Sequence, residues 1–286
     1  MGNAEPEYWG ALDLICRGFE AHMNGAGARE LRKHSRKTPR PLPGDREIMR
    51  RIVIAISYSQ GAQSKLVTGL IDDPIFSVAF VDFDIAGLAN QNPETLRQRY
   101  WTRLGYLRFK KKIDRIIRCA QVLKLIISEC GNFATYLSSF KIPRRLNAET
   151  DISKFWSGFT ALRQDLRARD MPFFRQTTSL LQLLLDLDYD SVKPDLIVMR
   201  LARRIGMVEF EIGEAYLQIV VRGFQKYAVA RGVRLSAIDL QVLAFGGQSN
   251  ARGLLDQSFC PSSDPCQKTD CLVGSSGLCK ARMRKE

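Results

Sequence analysis

Apolar residues recurring three and four positions apart over most of the chain limit the fold more than any other feature. From Asp45 to Lys124 the pattern runs through Ile48, Ile52 and Ile56, then through Ile113, Ile116 and Ile117, with few of the alternations a half-buried strand needs. It resumes in the run Ser179 to Leu187, in Leu196, Val198, Met199, Leu201 and Ile205, from Glu214 to Arg231, and from Ser236 to Phe245. Such spacing puts one apolar stripe on each helix and predicts an all-α chain. Asn92 before Pro93 supplies a cap and a first-turn proline, so a helix begins there; Asp151-Ile152-Ser153 marks another start. Gly105 separates two helices, and Gly246-Gly247 ends the last long one. Arg32 to Pro43 holds three prolines among many cations, which excludes a regular helix and marks a linker with a boundary near residue 45. No internal repeat of fixed period is present.

With 286 residues, 45% of them hydrophobic, the chain can bury a proper core in one large domain or two lobes. Forty-three Lys and Arg against thirty Asp and Glu leave a formal charge of +13, with a pI near 9.6, so the surface attracts polyanions and nucleic acid leads the partner classes. Glu5, Glu7, Asp13, Arg17 and Glu20 interrupt any apolar leader over the first 24 residues. The longest apolar stretches, such as Ile52 to Ile56 and Leu180 to Leu185, fall far short of the roughly 20 residues that cross a bilayer. The expectation is a soluble, cytoplasmic protein associated with the nucleoid.

Four short constellations carry chemistry. The tail reads Cys260-x5-Cys266-x4-Cys271-x7-Cys279, and four thiolates crowded into one otherwise unfoldable loop suit a zinc ion or a four-iron cluster better than a disulfide framework. Lys193-Pro194-Asp195 lies between two apolar helices. On local features Asp195 is a helix N-cap, a position where a carboxylate is favoured by the free amides and the helix dipole. The basic run Arg103, Arg108, Lys110, Lys111, Lys112, Arg115 and Arg118 surrounds Trp101, Tyr106 and Phe109, a mixture that suits phosphate contact and stacking and equally an ordinary exposed helix face. Ser57 to Gln63 is a polar break after an apolar helix. Histidine occurs only at positions 22 and 34, which leaves little material for histidine metal sites or triads, and neither GxxxxGK[ST] nor GxGxxG is present.

In this order the pieces resemble the helix-hairpin-helix DNA glycosylase superfamily, which includes endonuclease III and the adenine-mismatch glycosylase. The likeness runs from about Arg46 to Cys279. Arg51 to Gln60 looks like the family's early apolar helix and its Ser-x-Gln-type loop, which makes Gln60 the residue that enters the DNA stack. Leu104 to Ile113 is similar to the Gly-containing turn and basic helix start, and with Phe83 to Leu96 it also resembles the 3-methyladenine glycosylase I branch. Met171-Pro172-Phe173-Phe174-Arg175-Gln176-Thr177-Thr178 falls where the family carries LPGVGxKTA, with both hairpin glycines replaced. The Schiff-base lysine of bifunctional members becomes Gln176 or Thr177, so no lyase activity is expected. Val192 to Arg200 looks like the loop that bears the family's aspartate, with Arg200 matching a following arginine. The tail resembles the iron-sulfur loop of the endonuclease III branch, whose spacing is C-x6-C-x2-C-x5-C.

The resemblance implies two helical lobes with a cleft between them. Residues 1–45 would pack on the C-terminal lobe, 46–190 would form a six-helix-type lobe with the hairpin, and 191–286 would hold the aspartate loop, the last helices and the cluster. It implies a monomeric, monofunctional glycosylase that acts on double-stranded DNA containing a modified base, an alkylated purine being favoured. Asp195 would be catalytic. Gln60, Arg175, Gln176, Thr177, Thr178, Lys193 and Arg200 would contact DNA, and Tyr58, Trp101 and Trp156 would line the base pocket. Cys260, Cys266, Cys271 and Cys279 would hold a [4Fe-4S] cluster, with zinc as the alternative. A DNA lesion binder without catalysis is the competing expectation.

Overall fold

The computed structural model describes residues 5–247, 253–256, 259–260 and 271–281. Every regular element among them is helical, apart from a single bridge between Met23 and Leu255, so the chain is all-α as its periodicity predicts. In chain order the helices are α1 (Glu7–His22), α2 (Gly25–His34), α3 (Asp45–Ser57), α4 (Ser64–Asp72) and α5 (Pro74–Ala79). Next come α6 (Ile85–Ala89), α7 (Pro93–Leu104), α8 (Lys111–Cys130), α9 (Phe133–Ser139) and α10 (Glu149–Ala168). Last are α11 (Thr177–Asp186), α12 (Leu196–Arg204), α13 (Glu214–Arg231), α14 (Leu235–Gly246) and α15 (Leu272–Ser275). None is long and apolar enough to cross a membrane.

Residues divide into two compact units, each assembled from separate stretches of chain. The first holds residues 1–39, 143–152 and 188–286. Its centre is α14, buried on nearly every side, as a helix apolar all round must be. Ala11, Leu12, Ile15 and Phe19 of α1 join Val198, Met199 and Leu201 of α12, Val220 and Phe224 of α13, and Ile238, Val242 and Phe245 of α14 in one apolar cluster. Phe245 stacks on Phe259 with ring centroids 5.1 Å apart, which ties the tail to that core.

The second unit holds residues 40–142 and 153–187. Here α8 is the axis, packed on α3, α6, α7 and α9, with Ile113, Ile116, Leu123 and Ile126 among its buried residues. Asn92 caps α7 with bonds of 2.8 and 3.4 Å to the amides of Glu94 and Thr95, and a 3₁₀ turn over Gly105–Leu107 separates α7 from α8.

Two boundaries differ from the sequence expectation. Helix α10 starts at Glu149, before Asp151, because the Asp151 carboxylate reaches back to the amides of Asn147 and Ala148 at 3.0 and 3.3 Å. Helix α2 runs three residues into the basic stretch, since its prolines begin only at Pro39. Gly158 of α10 lies so close to its neighbours that an added Cβ would meet the Phe140 carbonyl oxygen at 2.5 Å and Ile142 Cγ1 at 2.7 Å. Gly158→Ala therefore destabilises: overpacking costs about 1–3 kcal/mol, which outweighs the ~1 kcal/mol that alanine gains in a helix. The urea midpoint measures it, and an unchanged or raised midpoint contradicts the close approach.

Candidate functional site

In the first unit the loop between α11 and α12 is nailed down at both ends. Asp190 accepts from Arg234 Nε at 2.8 Å and from the Leu146 amide at 3.0 Å, while its own amide donates to the Arg144 carbonyl at 3.1 Å. The Lys193 amide donates to Asp239 at 3.2 Å. The loop delivers Asp195 to the N-cap of α12, where Oδ1 accepts from the amides of Ile197 and Val198 at 3.0 and 3.2 Å. Lys193 Nζ stands 3.7 Å from Oδ2, and among the described residues Oδ2 accepts no hydrogen bond. One carboxylate oxygen is thus spent on the helix, and the other faces a cation. Arg200 points elsewhere: its Nη2 donates to the Gly246 carbonyl at 2.6 Å and joins α12 to the end of α14.

In the second unit Gln60 is exposed on the loop that follows α3, in a left-handed conformation with φ 57°. Gly61 follows at φ 69°, a backbone conformation that favours glycine, and a Cβ there would displace the Arg108 guanidinium, whose Nη1 lies 2.8 Å away. Lys112 is fully buried beneath this loop. Its Nζ donates to the carbonyls of Ser57 at 2.8 Å and Ser59 at 2.7 Å, while exposed Arg108 donates to the Gly61 carbonyl at 2.8 Å. Lys112 therefore does not belong to the surface run in which composition places it. Its position was legible in the spacing, because Lys112, Ile116, Cys119 and Leu123 fall on one helical face.

Between α10 and α11 the chain makes a tight hairpin in which Asp170 and Phe173 adopt φ values of 53° and 65°. Phe173 thus keeps a backbone conformation that glycine adopts without strain. The Arg175 carbonyl accepts from Arg163 Nε at 3.2 Å and Arg167 Nε at 3.4 Å, and Arg175 Nη1 pairs with Asp170 at 2.8 Å. Arg163 and Arg167 were not singled out from sequence; their four-residue spacing is the signal for a shared face. Gln176 is the N-cap of α11 without a side-chain cap bond; Thr177 is buried and Thr178 half-buried in the first turn.

The aromatic candidates separate by exposure. Tyr58 is exposed and bonds Thr68 Oγ1 at 2.7 Å; Trp101 is half-buried with Lys110 Nζ 5.8 Å from its ring centroid. Trp156 is a core residue, 4% exposed and edge-on to Phe155 and Phe159 at 5.8 and 5.3 Å.

Cys260, Cys271 and Cys279 are buried in the apolar cluster of the first unit, whereas Cys266 lies outside the described residues. Among the described residues no three His, Cys, Asp or Glu side chains gather into a ready metal-binding group. The donor chemistry nevertheless fits a thiolate-bound group. Arg204, 2% exposed, donates to Cys260 Sγ at 3.0 Å, and a buried guanidinium is matched better by a metal-held thiolate than by a neutral thiol. Burial pushes the Cys260 thiol up, and the Arg204 charge pulls against it.

No family model, no curated protein and no solved structure matches the chain.

Burial first, then the nearby Arg115 and Arg108 charges, push the Lys112 ammonium down to about 8 from an ordinary 10.5. Below that value the lysine is charged in folded and unfolded chains alike, and its burial cost is carried in full. Between about 8 and 10.5 the unfolded chain keeps a proton that the folded chain has lost, so this group's contribution to stability rises with pH. Urea unfolding of wild type and Lys112→Met at neutral and alkaline pH measures the effect. The difference between them should shift in favour of wild type as pH rises through this window, and a constant difference contradicts the titration.

Proposed function

We propose that this chain is a monofunctional DNA glycosylase of the helix-hairpin-helix kind, which hydrolyses the N-glycosidic bond of an extruded damaged or modified nucleotide and leaves an abasic site. An alkylated purine is the favoured base. The observation that carries the reading is the divided Asp195 carboxylate, with Oδ1 fixed by two amides of α12 and Oδ2 left toward Lys193. As the base departs, positive charge grows on the sugar. A carboxylate held rigidly by a helix end can stabilise that charge and orient or deprotonate a water without reorganising. The +13 net charge and the arginines around the 169–176 hairpin suit the phosphates of duplex DNA, which fix the protein's register without reading sequence. Gln60, exposed on its braced loop, fills the gap left by the extruded nucleotide. Gln176 and Thr177 carry no amine for a Schiff base, so the product strand stays intact until alkali cleaves it.

Base release from a panel of damaged duplexes tests the proposal with wild type and Asp195→Asn. The asparagine keeps an oxygen for the two amides, so the fold persists while the charge is lost. Release should fall by about 10²-fold or more, the scale for removing one fixed electrostatic stabiliser. Strand breakage without alkali would contradict the monofunctional assignment. A second reading, a DNA lesion binder, is favoured by one observation: capping α12 is by itself a sufficient role for Asp195. In that case no base is released, and both proteins bind DNA with the same salt dependence.

The cysteines are proposed to hold a [4Fe-4S] cluster, with zinc as the alternative; when bound, the group cross-links the tail and supplies order that a short irregular segment lacks. Iron-loaded protein should show broad sulfur-to-iron absorption in the visible, and Cys260→Ser should lower the iron held per chain. Stoichiometric zinc in a colourless protein selects the alternative, and the absence of either metal under reducing, chelator-free conditions overturns the site.

A further inference from the structure

We infer that Lys112 is the positioning residue for Gln60, holding the Gln60 loop from inside the second unit as a bound cation would. Three carbonyls of the five-residue stretch Ser57 to Gly61 meet buried or bracing cations, those of Ser57 and Ser59 at Lys112 Nζ and that of Gly61 at Arg108 Nη1. The held carbonyls alternate along the chain, on either side of Tyr58 and Gln60. Gln60 itself adopts φ 57°, an uncommon conformation for a residue other than glycine, and makes no side-chain hydrogen bond among the described residues.

A lysine is suited to this task because its ammonium is a compact charge with three rotatable donors, able to serve two carbonyls that are not coplanar. Its burial is costly, which is tolerated where the charge meets fixed dipoles. The cost is set against a specific gain. A loop with two left-handed residues in succession would otherwise populate many conformers, and a gap-filling side chain presented by such a loop must be ordered again at each encounter with DNA. Lys112 and Arg108 order it beforehand. The role given to the loop rests on the glycosylase reading; the brace itself can be measured without DNA.

Two measurements on the full-length protein separate these. Hydrogen exchange of the free protein should show the amides of residues 58–62 opening about tenfold faster or more in Lys112→Met, the scale of one lost charge-assisted hydrogen bond, with the α8 core unchanged. Arg108→Ala, at an exposed side chain, should give a smaller rise confined to the Gly61 end, and it decides the matter if Lys112→Met does not fold. The second measurement is affinity for a duplex carrying an abasic-site analogue. Gln60→Ala and Lys112→Met should each weaken it, and the double variant should be no weaker than the worse single one. A purely structural lysine would give additive losses, which overturns the positioning role. Unchanged exchange in Lys112→Met, or in Arg108→Ala where that variant decides, also overturns it and leaves the wedge reading intact. If Gln60→Ala alone binds as wild type does, the wedge reading fails and takes with it the purpose assigned to the brace, whatever exchange shows.

Discussion

Burying a cation is tolerated only when fixed dipoles or opposite charge replace the water it loses, and three such cations organise the irregular segments of this protein. Lys112 is fully buried and meets the carbonyls of the Gln60 loop. Arg234, 8% exposed, meets Asp190 and Asp188 at the root of the loop that ends in Asp195, and also the Arg36 carbonyl. Arg204 meets Cys260 in the tail. The Gln60 loop, the Asp195 loop and the tail thus each have a buried cation beneath them, which requires a definite backbone path, whereas the α10–α11 hairpin is held by half-buried Arg163 and exposed Arg167. Helices supply rigidity through their own hydrogen bonds. These loops have only scattered backbone bonds, such as Ser59 to Ile56 and Asp195 to Lys193, and the cations add to them.

The helical part of this arrangement was legible because each helix has a local cause. Asn92 and Asp195 cap helices where the sequence puts an Asx residue ahead of a helical pattern, and α13 and α14 match their periodic runs within one residue. What escaped depends on tertiary partners. A lysine among lysines gives no compositional sign that it faces inward, and only the spacing of Lys112 to Ile116 and Cys119 hints at it. Trp156 looks the same as an exposed aromatic until Phe155 and Phe159 close on it. Val81, Asp82 and Phe83 all adopt positive φ without a glycine, held in part by Arg46 Nε on the Asp82 carbonyl at 2.7 Å. Asp82 is a turn former, but nothing in the sequence marks Val81 and Phe83 for positive φ. Their conformation is imposed by a partner 36 positions away, which short-range patterns do not register.

An N-cap aspartate has two oxygens, and the helix needs only one of them. At Asp195 both amide bonds fall on Oδ1, which fixes the rotamer and leaves Oδ2 as the variable element. With Oδ1 fixed by the helix end and Oδ2 3.7 Å from Lys193 Nζ, the carboxylate is held in place before any positive charge develops nearby and need not reorganise to meet it. This is the physical reason to connect Asp195 with charge stabilisation. The bonds that would position the carboxylate for chemistry are the same bonds that cap the helix, so one pair of amides serves both.

The hairpin between α10 and α11 shows how a turn can keep a left-handed backbone without a glycine. Phe173 at φ 65° carries a cost of order 1–3 kcal/mol that a glycine would avoid. Against it stand the buried side chains of Met171 and Phe174, the latter in edge contact with Phe173 at 4.9 Å, and two arginine bonds to the Arg175 carbonyl. Burying one such side chain contributes about 1.5–3 kcal/mol, enough to hold the turn in place. A glycine-bearing hairpin allows a phosphate to approach bare backbone. With Phe173 and Arg175 in those positions backbone approach is obstructed, and an anion held at this turn would depend on the guanidinium groups of Arg163, Arg167 and Arg175, making its binding more sensitive to salt than a contact made through amides alone.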